Sequence, residues 1–158
     1  MNTISLWEPW ASCIALGLKR VETRSWPCPQ CLIGKPLVIH AAKRWDENNQ
    51  EFAANLRGEL TGYFPPQPQL GNLLCVVTPT HCLQVAQPGD GPPYLINGGP
   101  CALCREVFDT PRERLLGDWS PGRYLWLLKD VRRIKPVAFT GRQGIFQVPD
   151  EVIQYEEG

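Results

Sequence analysis

An α+β fold, most simply a small barrel of short strands with helices at its ends, is predicted by three features of this 158-residue sequence. Short apolar runs alternate with turn-forming residues along most of the chain. Two or three stretches carry helical spacing bounded by start and stop residues. The 16 prolines and 14 glycines cut the chain into many short elements, which argues against a helical bundle.

Thr3 to Leu6 reads as a strand entering a W-E-P-W segment. A helix is expected from Pro9 to Leu16, because proline suits a first helical position and Gly17 a C-terminal stop. Trp10, Cys13 and Ile14 form its inward stripe. Arg20 to Arg24 is the next strand, with Val21 and Thr23 on one face and Arg20, Glu22 and Arg24 on the other. A loop from Trp26 to Gly34 leads to an apolar, central strand over Pro36 to Ala42. Asp46 caps a second helix in which Phe52, Leu56 and Leu60 recur four apart. Tyr63 to Leu70, rich in proline, ends it. Strands follow at Asn72 to Thr78 and His81 to Val85. Gln87 to Pro100 is read as loop, inside a variable insertion at about 87–116. Thr110-Pro-Arg-Glu113 reads as a capping box opening a short helix. The last strands are expected at Arg123 to Leu128, Val131 to Ile134 and Ile145 to Val148. With no internal repeat, one domain over residues 1–158 is expected.

Net charge is zero, but its distribution is uneven. Residues 1–45 hold six basic residues against Glu8 and Glu22, and residues 119–142 hold six more against Asp130. Such segregation builds a basic face on a neutral protein, although two solvated strand faces would leave the same pattern. No basic, apolar leader opens the chain, and no run approaches the ~20 apolar residues of a membrane span. Seven cysteines, an odd number, fit a reducing compartment, so a cytoplasmic location without membrane attachment is expected.

Four segments carry residues that folding alone does not demand. In Ser5 to Ser12, two tryptophans flank Glu-Pro at a strand-to-helix turn; Trp7 can offer an aromatic face to a base, while Trp10 reads as core. In Gly17 to Trp26, Lys19, Arg20, Glu22 and Arg24 cluster ahead of Trp26. Cations there suit phosphate, and a carboxylate beside them can accept from a base edge or act as a general base; a salt bridge across the strand would look the same. In His40 to Trp45, His40 ends an apolar strand, as a base reader or a hydrogen-bonded core residue, and Lys43 and Arg44 follow. Gly117 to Trp126 is a tight turn delivering Arg123 and Tyr124 onto a strand.

S-L-W-E-P-W-A-S, G-x-K-x-x-E-x-R at Gly17–Arg24, I-H-A-A-K-R, G-R-Y-x-W and the closing G-R-Q-G-I-F-Q-V together resemble the ASCH domain, a branch of the PUA-like superfamily. They occur in family order over roughly Thr3 to Val148. The resemblance implies a PUA-like mixed β-barrel of about six strands with two or three helices. Its cleft would lie between the first helix, the G-x-K-x-x-E-x-R strand and the barrel mouth. It further implies an RNA or modified-nucleotide binding module, with Trp7, Arg20, Trp26, His40, Lys43, Arg44, Arg123 and Tyr124 as contacts. The alternative it implies is a small hydrolase, an N4-acetylcytidine amidohydrolase or ribonuclease, with Lys19, Glu22 and Arg24 as catalytic candidates. Lys19 stands where the amidohydrolase branch keeps its lysine, whereas Glu22 replaces that branch's threonine. A protein-binding adaptor is the reading from a third class.

Cys28-Pro-Gln-Cys31 and Cys101-Ala-Leu-Cys104 are two C-x-x-C pairs in Pro/Gly-containing loops, outside the general family pattern. Four thiolates suit one structural Zn2+, held closed and without an open catalytic position. The gap from Cys31 to Cys101 exceeds the ~15–20 residues of a zinc ribbon, so the fold would have to bring the loops together. Cys13, Cys75 and Cys82 fall on apolar stripes and read as core.

Overall fold

The structure is a computed structural model that describes residues 1–59, 67–85 and 110–157. Among these are six strands, β1 (Asn2–Leu6), β2 (Val21–Arg24), β3 (Leu37–Ala41), β4 (Asn72–Gln84), β5 (Tyr124–Ala138) and β6 (Ile145–Gln147). Three α-helices accompany them, α1 (Trp10–Ala15), α2 (Glu47–Glu59) and α3 (Pro111–Leu115). The strands make one mixed sheet in the order β2-β5-β4-β3-β1-β6. β1 runs parallel to β3, while β1–β6, β2–β5 and β3–β4 are antiparallel. This is the expected α+β architecture. No helix among the described residues is long and apolar enough to cross a membrane.

The chain divides into two compact units. The first comprises Met1–Leu18, Pro36–Val77 and Asp130–Gly158; the second comprises Lys19–Lys35 and Thr78–Lys129. In the first, Val38, Leu73, Val76, Ile134, Phe146 and Val148 form a buried apolar cluster. β3 is buried at all five positions, which explains its apolar sequence on both faces, broken only by His40. α1 stops at Gly17, whose φ of 71° lets Leu18 N–H donate to Cys13 O and Gly17 N–H to Ile14 O. Both orphan carbonyls of the last turn are thereby satisfied. α2 starts where Asp46 accepts from the Asn49 amide at 3.1 Å, as its sequence predicts. Its Phe52 stacks on Trp10 at 5.0 Å between centroids, and Leu56 is buried; Leu60 lies outside the described residues.

In the second unit the cluster is Val21, Leu83, Val85, Leu125 and Leu127, with Trp119 packed against it. β2 pairs with β5 so that Glu22 faces Trp126 and Arg24 faces Tyr124. Thr110 caps α3 by accepting from the Glu113 amide at 3.1 Å. The reciprocal half of the expected box is not made, because the Glu113 carboxylate is spent on β2.

Two strand breaks expected from sequence are bridged. β4 runs through Pro79, which lacks a donor but whose carbonyl still accepts from Gly34 N–H at 2.7 Å. β5 runs through Asp130, held at φ 53°, a left-handed conformation that aspartate tolerates better than most residues. These two points coincide with Val77/Thr78 and Lys129/Asp130, where the chain passes from one unit to the other.

Candidate functional site

The candidate residues divide between the two units. In the second, Lys19 is buried, 1% exposed, and its Nζ donates to the carbonyls of Val21 and Leu116, the latter at 2.9 Å. Glu22, also buried, places Oε2 3.8 Å from that nitrogen and Oε1 3.6 Å from Arg24 Nη1. Lys19, Glu22 and Arg24 therefore form one chain of charges along β2. Arg24 lies over the half-buried Trp26 at 5.2 Å, and Trp26 meets the edge of Trp126. The Arg20 side chain is exposed. Arg123 pairs with Asp118 at 2.9 Å, its Nε buried without an acceptor, and Tyr124 is half-buried. Asp118 is held below the usual carboxylate range, chiefly by the Ser120 hydroxyl, with Arg123 adding to it.

Sequence reasoning missed the role of Glu113. Its buried carboxylate accepts from the amides of Arg20 at 2.6 Å and Val21 at 3.2 Å, and so fixes the start of β2. Burial pushes its pKa up; those amides and Lys19 pull it back. The only sequence signal was its capping-box position, which reports local geometry and not the strand it reaches.

In the first unit, Trp7 is 46% exposed and the Arg44 guanidinium lies 4.2 Å over its ring. Arg44 also pairs with Asp46 at 2.8 Å, and Lys43 is exposed beside it. His40 is buried and bridges two elements: Nδ1 lies 2.9 Å from Ser5 Oγ and Nε2 3.0 Å from Phe139 O. A carbonyl can only accept, so Nε2 carries the proton and Nδ1 accepts from the serine hydroxyl. Burial, aided by Lys43, holds the imidazole below its ordinary pKa, against opposing hydrogen bonds from the backbone at Phe139 and Gly71. Gly141 sits directly on this pair. A Cβ there would lie 2.4 Å from His40 Cε1 and 2.7 Å from Ser5 Oγ.

Of the expected zinc ligands, Cys28 is buried two residues before the 3-10 turn Gln30–Leu32, and Cys31 is exposed on that turn; Cys101 and Cys104 lie outside the described residues. Cys28 N–H donates to Cys82 Sγ at 3.2 Å. The Cys28 thiol is pushed up to about 12, mainly by burial and then by the charges of Cys82 and Cys31. Among the described residues no group of three or more Cys, His, Asp or Glu is arranged to hold a metal.

A six-stranded mixed sheet with three helices among the described residues, with buried Lys19 just ahead of β2, Glu22 on β2 and a Ser5–His40 bridge between β1 and β3, fits the PUA-like α+β fold expected from the sequence. The ASCH domain family model matches residues 4–138, and the chain belongs to that family. It is similar to the crystal structure of the ASCH protein of Zymomonas mobilis, at 17% identity and a TM-score of 0.48, covering 95% of this chain and 88% of that one. A mutant of that protein aligns at 16% identity with a TM-score of 0.50, over 95% and 91% of the two chains. No curated protein matches the chain.

Proposed function

We propose that the chain binds single-stranded RNA or a modified nucleotide. The exposed Trp7 indole under the Arg44 guanidinium carries this reading. A cation over an exposed ring contributes about 0.5–1 kcal/mol, whereas a base stacked on an aromatic contributes about 1–3, so a base can displace or extend the pair. Lys43 stands next to Arg44 for phosphate. In the second unit Arg24 over Trp26 repeats the combination, with Arg20 exposed on the same strand entry. A hydrolase using Lys19 would need an amine that already donates to two backbone carbonyls, which favours recognition over hydrolysis. Titration of a labelled octaribonucleotide against salt tests the proposal. Trp7→Ala should weaken binding about tenfold, and Arg44→Ala should flatten the log–log salt slope by about 0.7. Unchanged affinity in both variants would count against it, and binding without a salt slope would point to a protein partner instead.

A structural Zn2+ on Cys28, Cys31, Cys101 and Cys104 remains part of the same proposal. The two C-x-x-C pairs in Pro/Gly-containing loops support it, because four thiolates make a closed tetrahedral site. Protein purified without chelator should carry about one zinc per chain by elemental analysis. Metal-free folded protein would refute it.

A further inference from the structure

Within the first unit, part of the basic run of the sequence meets its acidic stretch. Asp130 is the one acid on β5, and beyond it Arg132, Arg133 and Lys135 are all exposed. Residues 146–158 hold four acids and no base. Part of that acidic stretch pairs with β5. Lys135 N–H donates to Gln154 O at 2.8 Å, Glu156 N–H donates to Arg133 O at 3.1 Å, and Ile134 faces Tyr155 in an antiparallel bridge.

The side chains match as well. Both Glu156 oxygens reach the Arg133 guanidinium, Oε2 at 3.1 Å from Nε and Oε1 at 3.3 Å from Nη2. The Arg132 guanidinium lies 4.4 Å over the Tyr155 ring. A ring against one guanidinium and a two-pronged anion on the next are what a nucleotide offers with its base and its phosphate. By alternation Arg133 and Lys135 share one face of the strand about 6.6 Å apart, close to one phosphate step of an extended single strand. The cover is also easily opened. It has one bridge of two backbone bonds, an ion pair whose side chains are 52% and 32% exposed, and a ring that is 38% exposed. Salt screens such a pair, and so short a bridge opens at little cost.

We infer that Arg132, Arg133 and Lys135 form a further contact surface for single-stranded RNA, which Tyr155 and Glu156 cover as an internal stand-in for a base and a phosphate. This rests on the RNA-binding reading and adds a surface that the RNA must uncover. An acidic peptide is the weaker occupant: a ladder of one residue pair would hold it poorly, whereas cations grip a phosphate chain without any ladder.

The experiment uses the full chain and a labelled octaribonucleotide, titrated by fluorescence anisotropy across a salt series. Tyr155→Ala combined with Glu156→Ala should tighten binding about fivefold at low salt and steepen the log–log slope by about 0.7 for each cation uncovered. Adding Arg132→Ala and Arg133→Ala to that variant should abolish the gain, whereas adding Trp7→Ala should leave it in place. Thermal unfolding checks each variant, and Glu156→Gln, which keeps the backbone pairing, carries the test if the double variant misfolds. Wild-type affinity and slope in the uncovered variant would overturn the surface and leave RNA binding intact. A gain that survives loss of both arginines would overturn it too, as would a gain for an oligoglutamate peptide and not for the octamer. No octamer binding by wild type or any variant would overturn both readings.

Discussion

Replacing Lys19 by methionine is expected to destabilise the protein by about 3 kcal/mol, lowering Tm by roughly 10 °C. Methionine keeps the length and apolar stem but removes every donor. The carbonyls of Val21 and Leu116 then lose their shared partner in a site that is 1% exposed. Each buried acceptor left without a donor costs about 1–3 kcal/mol. Glu22 loses its buried cation at 3.8 Å but keeps Arg24 at 3.6 Å, which limits the electrostatic part of the loss. Denaturant unfolding of wild type and variant gives the number directly. A change below about 0.5 kcal/mol would mean that the amine is not the strut its hydrogen bonds describe.

Gly141→Ala is the second substitution with a large expected effect, although the residue is exposed. Its added methyl would lie 2.4 Å from His40 Cε1 and 2.7 Å from both Nδ1 and Ser5 Oγ. Two responses are open to the molecule. If the ring yields, Ser5–His40 and His40–Phe139 lengthen together; if the 140–144 segment lifts, the Phe139 carbonyl leaves Nε2. Overpacking costs about 1–3 kcal/mol and each lost hydrogen bond about 1, so a loss of about 2–3 kcal/mol is expected on either route. The His40 ring proton resonances should shift. Combining Gly141→Ala with His40→Ala should cancel most of the penalty, since the obstructed ring is gone. Additive losses in the double variant would place the strain elsewhere.

Local signals in the sequence specified the elements well. Gly17 ends α1 and Asp46 starts α2 where their residue types predict, and the apolar run of β3 marks it as buried on both faces. Pro79 and Asp130 look like strand ends by residue type, and both are absorbed within longer strands because the ladder on either side holds. The ordered motifs pointed to the family. What they could not show is which groups meet across the fold. Lys19 reaches Leu116 across 97 positions, Glu113 reaches Arg20 across 93, and His40 reaches Phe139 across 99. Spacing and alternation report one or two turns of chain, so Lys19 reads as a flexible cation at a strand entrance when it is in fact a buried brace. Glu8 is invisible for the same reason: its partner Gln69 lies 61 residues away.

The passage of the chain between units bears on how such a protein can be inherited. It crosses after Leu18, Lys35, Val77 and Lys129, so the first unit is stitched from three stretches of sequence and the second from two. Neither corresponds to a continuous stretch of gene that recombination could graft or discard in one event. The two halves are therefore bound to travel through evolution as one heritable block, whatever each of them recognises.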